Sequence, residues 1–138
     1  MQKKLVRNWM TADPITVTDD VSLIDAHNLL VEHDIRRLPV IDNNGILVGI
    51  VTLGDIREAS PSDATSLSIW EMNYLLAKLK VKKIMTPDPI TIYPTYTIAQ
   101  VANFMLENKV SGLPVVDPGG KLVGIITESD IFRLVVQS

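Results

Sequence analysis

Two short strings in this sequence carry side chains able to hold a polar ligand, Thr52-Leu53-Gly54-Asp55 and Thr127-Glu128-Ser129-Asp130. Each sets a hydroxyl three residues ahead of a carboxylate. A hydroxyl where a helix begins lies beside unpaired backbone N–H groups and the positive end of the helix dipole, a place that favours phosphate. An ionised carboxylate accepts two hydrogen bonds at once. The same Thr-x-x-Asp spacing is that of an N-cap followed by an acid at the third helical position, and on the residues alone both roles stay open. Arg36-Arg37 adds two guanidiniums, each able to grip an oxyanion with a pair of N–H groups. No catalytic set accompanies them. His27 and His33 lie six apart, off the four-residue spacing that places two metal ligands on one helix face, and each is expected as a surface histidine. Gly45 and Gly49 do not make a phosphate loop, and Gly-x-Gly-x-x-Gly does not occur. The absence of cysteine removes disulfides, zinc–thiolate sites, iron–sulfur clusters and cysteine nucleophiles. No catalytic residue and no metal ligand are assigned.

The elements that position these groups come from an internal duplication. Sliding the chain by 75 positions aligns residues 6–57 with residues 81–132 without a gap, and 21 of the 52 pairs are identical. Met10-Thr11 matches Met85-Thr86, Leu38-Pro39-Val40 matches Leu113-Pro114-Val115, and Gly49-Ile50 matches Gly124-Ile125. The period is too long and the copies too few for a solenoid, so two pseudo-symmetric lobes are expected. A unit of this length is marginal for a core of its own, which packing two units together would remedy. Within each copy, Pro14-Ile15-Thr16-Val17 and Pro89-Ile90-Thr91-Ile92 predict a first short strand. Ser22 with Asp25, and Thr97 with Gln100, predict helix starts, followed by the apolar stripes Leu23, Ala26, Leu30 and Ile98, Val101, Met105. Two apolar runs around Asp42-Asn43-Asn44-Gly45, or around Asp117-Pro118-Gly119-Gly120, predict a hairpin. A last short helix opens near Thr52 or Thr127. The order is strand, helix, strand, strand, helix, an α/β (α+β) class with two βαββα repeats in one compact module.

Residues 6–57 and 81–133 are thus the two repeats and 58–80 a linker with a helix. Ala59-Ser60-Pro61-Ser62-Asp63 has loop chemistry, and Ser68 with Glu71 then starts the helix. Its apolar arc is wide: Ile69, Met72, Leu76 and Leu79 form one stripe, Trp70, Tyr74 and Ala77 another. The two lobes or a second copy of the chain would cover it, so a homodimer is expected. The aromatic stripe is expected to pack rather than to serve as a ligand platform.

Composition narrows the class further. With 46% apolar and 21% charged residues the chain has the make-up of an ordinary globular protein. A net charge of −3 argues against nucleic acid as partner. The lysines at 78, 80, 82 and 83 suit a solvated helix end as well as a binding patch. No run reaches the ~18 to 20 apolar residues needed to cross a bilayer, and no secretion signal follows the first basic residues. No membrane partner and a cytoplasmic location are therefore expected.

The Met-Thr-x-x-Pro-Ile opening, the Leu-Pro-Val segment and the Gly-Ile-(Val/Ile)-Thr-x-x-Asp-Ile ending, each present twice, resemble the cystathionine-β-synthase-type (CBS) domain family. Residues 62–67 with Asn73-Tyr74-Leu75-Leu76 look like bacterial acetoin-utilisation regulatory proteins of that family, in which a further ligand-binding domain follows the pair; this sequence ends at Ser138 without it. The resemblance implies a compact pair (a Bateman module) with two clefts between the repeats, pairing of modules into disc-shaped dimers, and binding of AMP, ADP, ATP or S-adenosylmethionine. It implies candidate site residues Ile15, Thr16, Ile35, Arg36, Arg37, Leu38, Pro39, Thr52 and Asp55 in the first copy. In the second it implies Ile90, Thr91, Val110, Ser111, Gly112, Pro114, Thr127 and Asp130. On that mapping Asp55 or Asp130 would chelate the ribose hydroxyls, Thr52 or Thr127 would meet phosphate, and Ile15, Ile35, Ile90 and Val110 would sandwich a purine. Arg36-Arg37 gives way to Ser111-Gly112 in the second copy, so the first cleft is expected to hold the more highly charged nucleotide. The function expected is a regulatory, energy-sensing module that binds an adenine nucleotide and signals to an unidentified effector protein, with magnesium present only with the nucleotide. An oligomerisation or docking module with empty clefts and an S-adenosylmethionine binder are the alternatives.

Overall fold

The computed structural model describes residues 4–60 and 68–137, with the side chains of all but Ile69. The loop chemistry expected at Pro61-Ser62-Asp63, the 62–67 stretch of the resemblance and the stripe position of Ile69 lie outside what is described. Among the described residues the order is β1 (Thr11–Ala12), α1 (Leu23–Glu32), β2 (Arg37–Ile41), β3 (Leu47–Thr52), α2 (Leu53–Ala59), α3 (Ile69–Lys78), β4 (Thr86–Pro87), α4 (Ile98–Asn108), β5 (Gly112–Val116), β6 (Leu122–Thr127) and α5 (Glu128–Gln137). This is the mixed α+β, twofold βαββα pattern read from the sequence.

The local signals act as expected at the caps and turns. Thr97 and Gln100 satisfy each other's backbone N–H groups in a complete capping box, as do Ser68 and Glu71, whereas Ser22 accepts from the Asp25 N–H at 3.2 Å. The buried faces of α1 and α4 are Leu23, Ala26, Leu30 and Ile98, Val101, Met105. Both hairpins turn on a glycine in the left-handed region, Gly45 at φ 81° and Gly120 at φ 88°, which costs no Cβ clash. Asp42 and Asp117 tighten these turns by accepting backbone N–H groups two residues on, at 2.8 and 2.9 Å.

The first strand of each copy is not where the β-branched residues placed it. Residues 14–17 and 89–92 touch the sheet only through single parallel bridges, Val17 to Val40 and Ile92 to Val115. The short strand is instead the Met-Thr-x stretch, β1 or β4, just before Asp13 or Asp88, both of which take positive φ. That kink turns the chain away before Pro14 and Pro89, which have no N–H to extend a ladder.

Two compact units emerge, and they cut across the repeats. One comprises Met1–Pro14, Gly45–Leu47 and Ile90–Ser138; the other comprises Ile15–Asn44 and Val48–Pro89. In the first, the antiparallel sheet runs β1-β6-β5, with Thr11 opposite Ile125 and Leu113 opposite Ile126. Residues 45–47 join it through Leu122 N–H to Gly45 and Leu47 N–H to Gly120, both 3.1 Å. In the second, the sheet runs β2-β3-β4, with Ile50 opposite Thr86. The leading segment of each repeat is thus built into the unit made by the body of the other. Val6 N–H donates to Tyr96 at 2.9 Å, and Val81 N–H to Val21 at 2.9 Å. Each unit has its own core: Val6, Ile92, Val101, Leu113, Val115 and Ile126 in one; Leu23, Leu30, Leu38, Val40, Val51, Ile56 and Val81 in the other. Leu76 of α3 and Leu79, the residue that caps it, pack against the second core, while Trp70 and Tyr74 stay 80% and 60% exposed beside an open groove of about 330 Å³. Within its unit the aromatic stripe therefore has no packing role.

Candidate functional site

Each set of candidate residues falls within one compact unit, and the backbone draws it together in the same way twice. In the unit built on α1 and β2, the N–H of Leu53, first residue of α2, donates to the Arg36 carbonyl at 2.8 Å. Its counterpart is Glu128 N–H of α5, donating to the Ser111 carbonyl at 3.0 Å. These bonds fix the start of the last helix against residues 35–37 or 110–112, where the chain leaves the first helix and enters β2 or β5. Val17 N–H donates to Pro39 at 3.1 Å and Ile92 N–H to Pro114 at 3.2 Å, which lays Ile15-Thr16 and Ile90-Thr91 along the same strands. Helix start, strand start and leading segment converge in both units.

Exposure separates the groups by role. Leu38, Pro39 and Pro114 are buried. Ile15, Thr16, Ile35, Arg37, Thr52, Asp55, Ser111, Gly112 and Thr127 are half-buried. Arg36, Ile90, Thr91 and Val110 are exposed, and Asp130 is buried, with 3% of its surface accessible. Ile35 and Val110 follow Asp34 and Lys109, both in the left-handed region at φ 52° and 54°, which reverses the chain out of the helix at the same place in each copy.

Both acids cap their helices. Asp55 Oδ2 accepts from the Thr52 N–H at 2.9 Å, while Thr52 Oγ1 accepts from the Asp55 N–H at 3.0 Å. Asp130 Oδ2 accepts from the Thr127 N–H at 2.9 Å and from the Thr127 hydroxyl at 3.3 Å. The capping role, one of two open to Thr-x-x-Asp, is thus filled in both copies. It engages Oδ2 in both copies and leaves Oδ1 as the oxygen outside the cap. Here the copies differ. Asp130 Oδ1 is paired with the Arg133 guanidinium, one turn further along α5. Asp55 Oδ1 has no hydrogen-bond partner among the described residues, and position 58, equivalent to 133, is glutamate. Sequence reasoning passed over Arg133; its signal was an arginine three residues after an acid on a helix, a spacing that brings side chains together.

No group of three or more histidine, cysteine or carboxylate side chains among the described residues could hold a metal. No described helix is long and apolar enough to cross a membrane.

A family model described as CBS domain matches residues 6–62 and 81–137. A CBS domain-containing protein of Dictyostelium discoideum is 36% identical over 135 residues, covering 98% of this chain and 93% of that protein. The structure of CBSX2 in complex with AMP, a protein of Arabidopsis thaliana, is 35% identical with a TM-score of 0.83 and covers 97% of each chain. The CBS domain pair of protein MJ0100 in complex with 5'-methylthioadenosine and S-adenosyl-L-methionine is 33% identical, TM-score 0.81, over 99% of this chain and 98% of that one. A putative acetoin utilization protein from Vibrio cholerae is 30% identical, TM-score 0.82, over 99% and 93%. The chain spans only about a quarter of some curated enzymes that it matches, such as the L-aspartate semialdehyde sulfurtransferase of Methanocaldococcus jannaschii, of which it covers 23% at 35% identity.

Proposed function

The chain belongs to the CBS-domain family, and from that premise we propose that it is a non-catalytic regulatory module binding an adenine nucleotide and passing the bound state to an effector protein by a change of conformation. The observation that carries this reading is the backbone bond from helix start to strand start, Leu53 to Arg36 and Glu128 to Ser111, made at equivalent places in both units. It sets a threonine hydroxyl and a carboxylate beside aliphatic residues, half-buried Ile15 and Ile35 in one unit and exposed Ile90 and Val110 in the other, the combination a nucleoside needs: apolar contact for the base, an acceptor for sugar hydroxyls, donors for phosphate. AMP, 5'-methylthioadenosine and S-adenosylmethionine, held by the two relatives, share an adenosine. Arg36 and Arg37 favour AMP, ADP or ATP at Thr52–Asp55, with magnesium arriving only on the nucleotide. Ser111 and Gly112 supply no cation, which favours a ligand without phosphate, S-adenosylmethionine included, at Thr127–Asp130. A cytoplasmic, energy-sensing homodimer is the setting this reading implies.

Thermal melts with AMP, ADP, ATP, S-adenosylmethionine and NADH test it. A ligand at about 100 times its Kd adds about 2.7 kcal/mol, a rise of several degrees for a chain of this size. Asp55→Asn, which keeps an acceptor for the Thr52 N–H, should erase the nucleotide shift while leaving the unliganded melt close to wild type. No shift with any of the five compounds would sink the sensor reading in favour of a docking module.

A further inference from the structure

Resting on that reading, we propose that Arg133 is a latch on the second site, holding Asp130 away from ligand, so that the chain takes one AMP, at Thr52–Asp55, until the latch opens. The argument is one of oxygen atoms. Asp130 Oδ2 accepts from the Thr127 N–H and hydroxyl, and Oδ1 from the Arg133 guanidinium, so three of about four acceptor positions of this buried carboxylate are taken within the first turns of α5. A ribose that sets both of its hydroxyls on this carboxylate must displace the arginine. Asp55 makes the same cap through Oδ2, yet its Oδ1 takes no hydrogen bond among the described residues. The equivalent of Arg133 is Glu58, which cannot pair with a carboxylate and repels one instead.

The burial of the pair makes the latch movable. Asp130 is nearly inaccessible but the Arg133 side chain is 52% exposed, so the guanidinium can swing into water without being stranded. Arg133 acts through Asp130 and is a positioning residue in this scheme. Its cost to binding is modest, about five- to tenfold in affinity, because one partner is solvated and the other is a charge-assisted acceptor.

Calorimetric titration of the full chain with AMP reads both stoichiometry and affinity. Wild type is expected to bind one AMP per chain, and Asp55→Asn to abolish that event. Arg133→Met, with circular dichroism and the unliganded melt confirming a folded chain once Asp130 has lost its partner, should bring a second event into range, with affinity raised about five- to tenfold. The reciprocal change Glu58→Arg should install the latch on Asp55 and weaken the first event by a similar factor. Two equal events in wild type, or a single event unmoved by both Arg133→Met and Glu58→Arg, would overturn the latch while leaving the nucleotide reading intact. Absence of AMP binding in wild type and in Arg133→Met alike would overturn the latch, and the nucleotide reading falls with it only if ADP, ATP, S-adenosylmethionine and NADH fail to bind as well.

Discussion

At the level of single residues, what separates the two copies is charge placed on an otherwise repeated backbone. Arg36 and Ser111 offer their carbonyls to equivalent helix starts, Leu53 of α2 and Glu128 of α5, so their side chains leave from equivalent points. A guanidinium bonded to phosphate contributes about 1.5–3 kcal/mol, roughly ten- to a hundredfold in affinity. Arg36→Ala or Arg37→Ala should therefore weaken ATP and ADP by about tenfold or more in calorimetry, and AMP by less, since AMP carries fewer charges. Ser111→Ala, which removes a neutral hydroxyl, should change these affinities by less than about threefold. The opposite order of effects would move the phosphates to the other unit. The types and spacing of the site residues were legible because the duplication made each visible twice. What the sequence left open at Thr-x-x-Asp was the division of a carboxylate's two oxygens. That division depends on whether an arginine one turn away reaches back, as Arg133 does, and a single difference just past the end of the aligned repeat does not show it.

The elements divide according to how local their causes are. Caps and hairpin turns rest on groups two or three residues apart, and Thr97-Gln100, Ser68-Glu71 and the Asp42 and Asp117 turns form from those groups alone. The first strand depends on a distant partner. Thr11 and Ala12 pair with Ile125 and Gly124, more than a hundred positions away, so neither their polarity nor their propensity marks them. Gly124 is the enabling residue. A Cβ there would lie 2.9 Å from the Thr11 carbonyl oxygen and 2.6 Å from the Met10 sulfur; Gly49 is equally close to Met85. The methionine can rotate aside, but the carbonyl belongs to the paired backbone. Gly124→Ala should force β1 away from β6 and cost about 1–3 kcal/mol, the usual penalty of overfilling a packed site. Urea denaturation monitored by circular dichroism reads this as a lower midpoint. A change within about 0.5 kcal/mol would mean that the close approach carries no energetic weight.

For the whole molecule, the repeat announced two lobes, yet it could not say which copy's leading segment docks on which body, because either arrangement preserves the same identities. The answer, exchange of residues 1–14 and of the segment ending at Pro89 between repeats, ties each core to both halves of the sequence. What stays uncovered is apolar surface: Trp70, Tyr74 and Leu75 on α3, and Phe132, Val135 and Val136 on α5. Exposed apolar groups gathered on one helix face mark an interaction surface. On α3 the charges also suit a second copy. Glu71, Tyr74, Leu75 and Lys78 share a stripe at i, i+3, i+4 and i+7, with an acid at one end and a base at the other. Two such helices packed antiparallel set Glu71 of each copy opposite Lys78 of the other, around a centre of Tyr74 and Leu75, the self-complementarity a twofold interface requires. Light scattering at micromolar concentration should therefore give the mass of two chains. Tyr74→Glu, which buries one like charge from each copy at that centre, should shift it toward one chain without lowering the melting temperature of the separated protein. A single-chain mass for wild type would remove the dimer altogether. A dimer indifferent to Tyr74→Glu but split by Phe132→Glu would move the contact from α3 to α5.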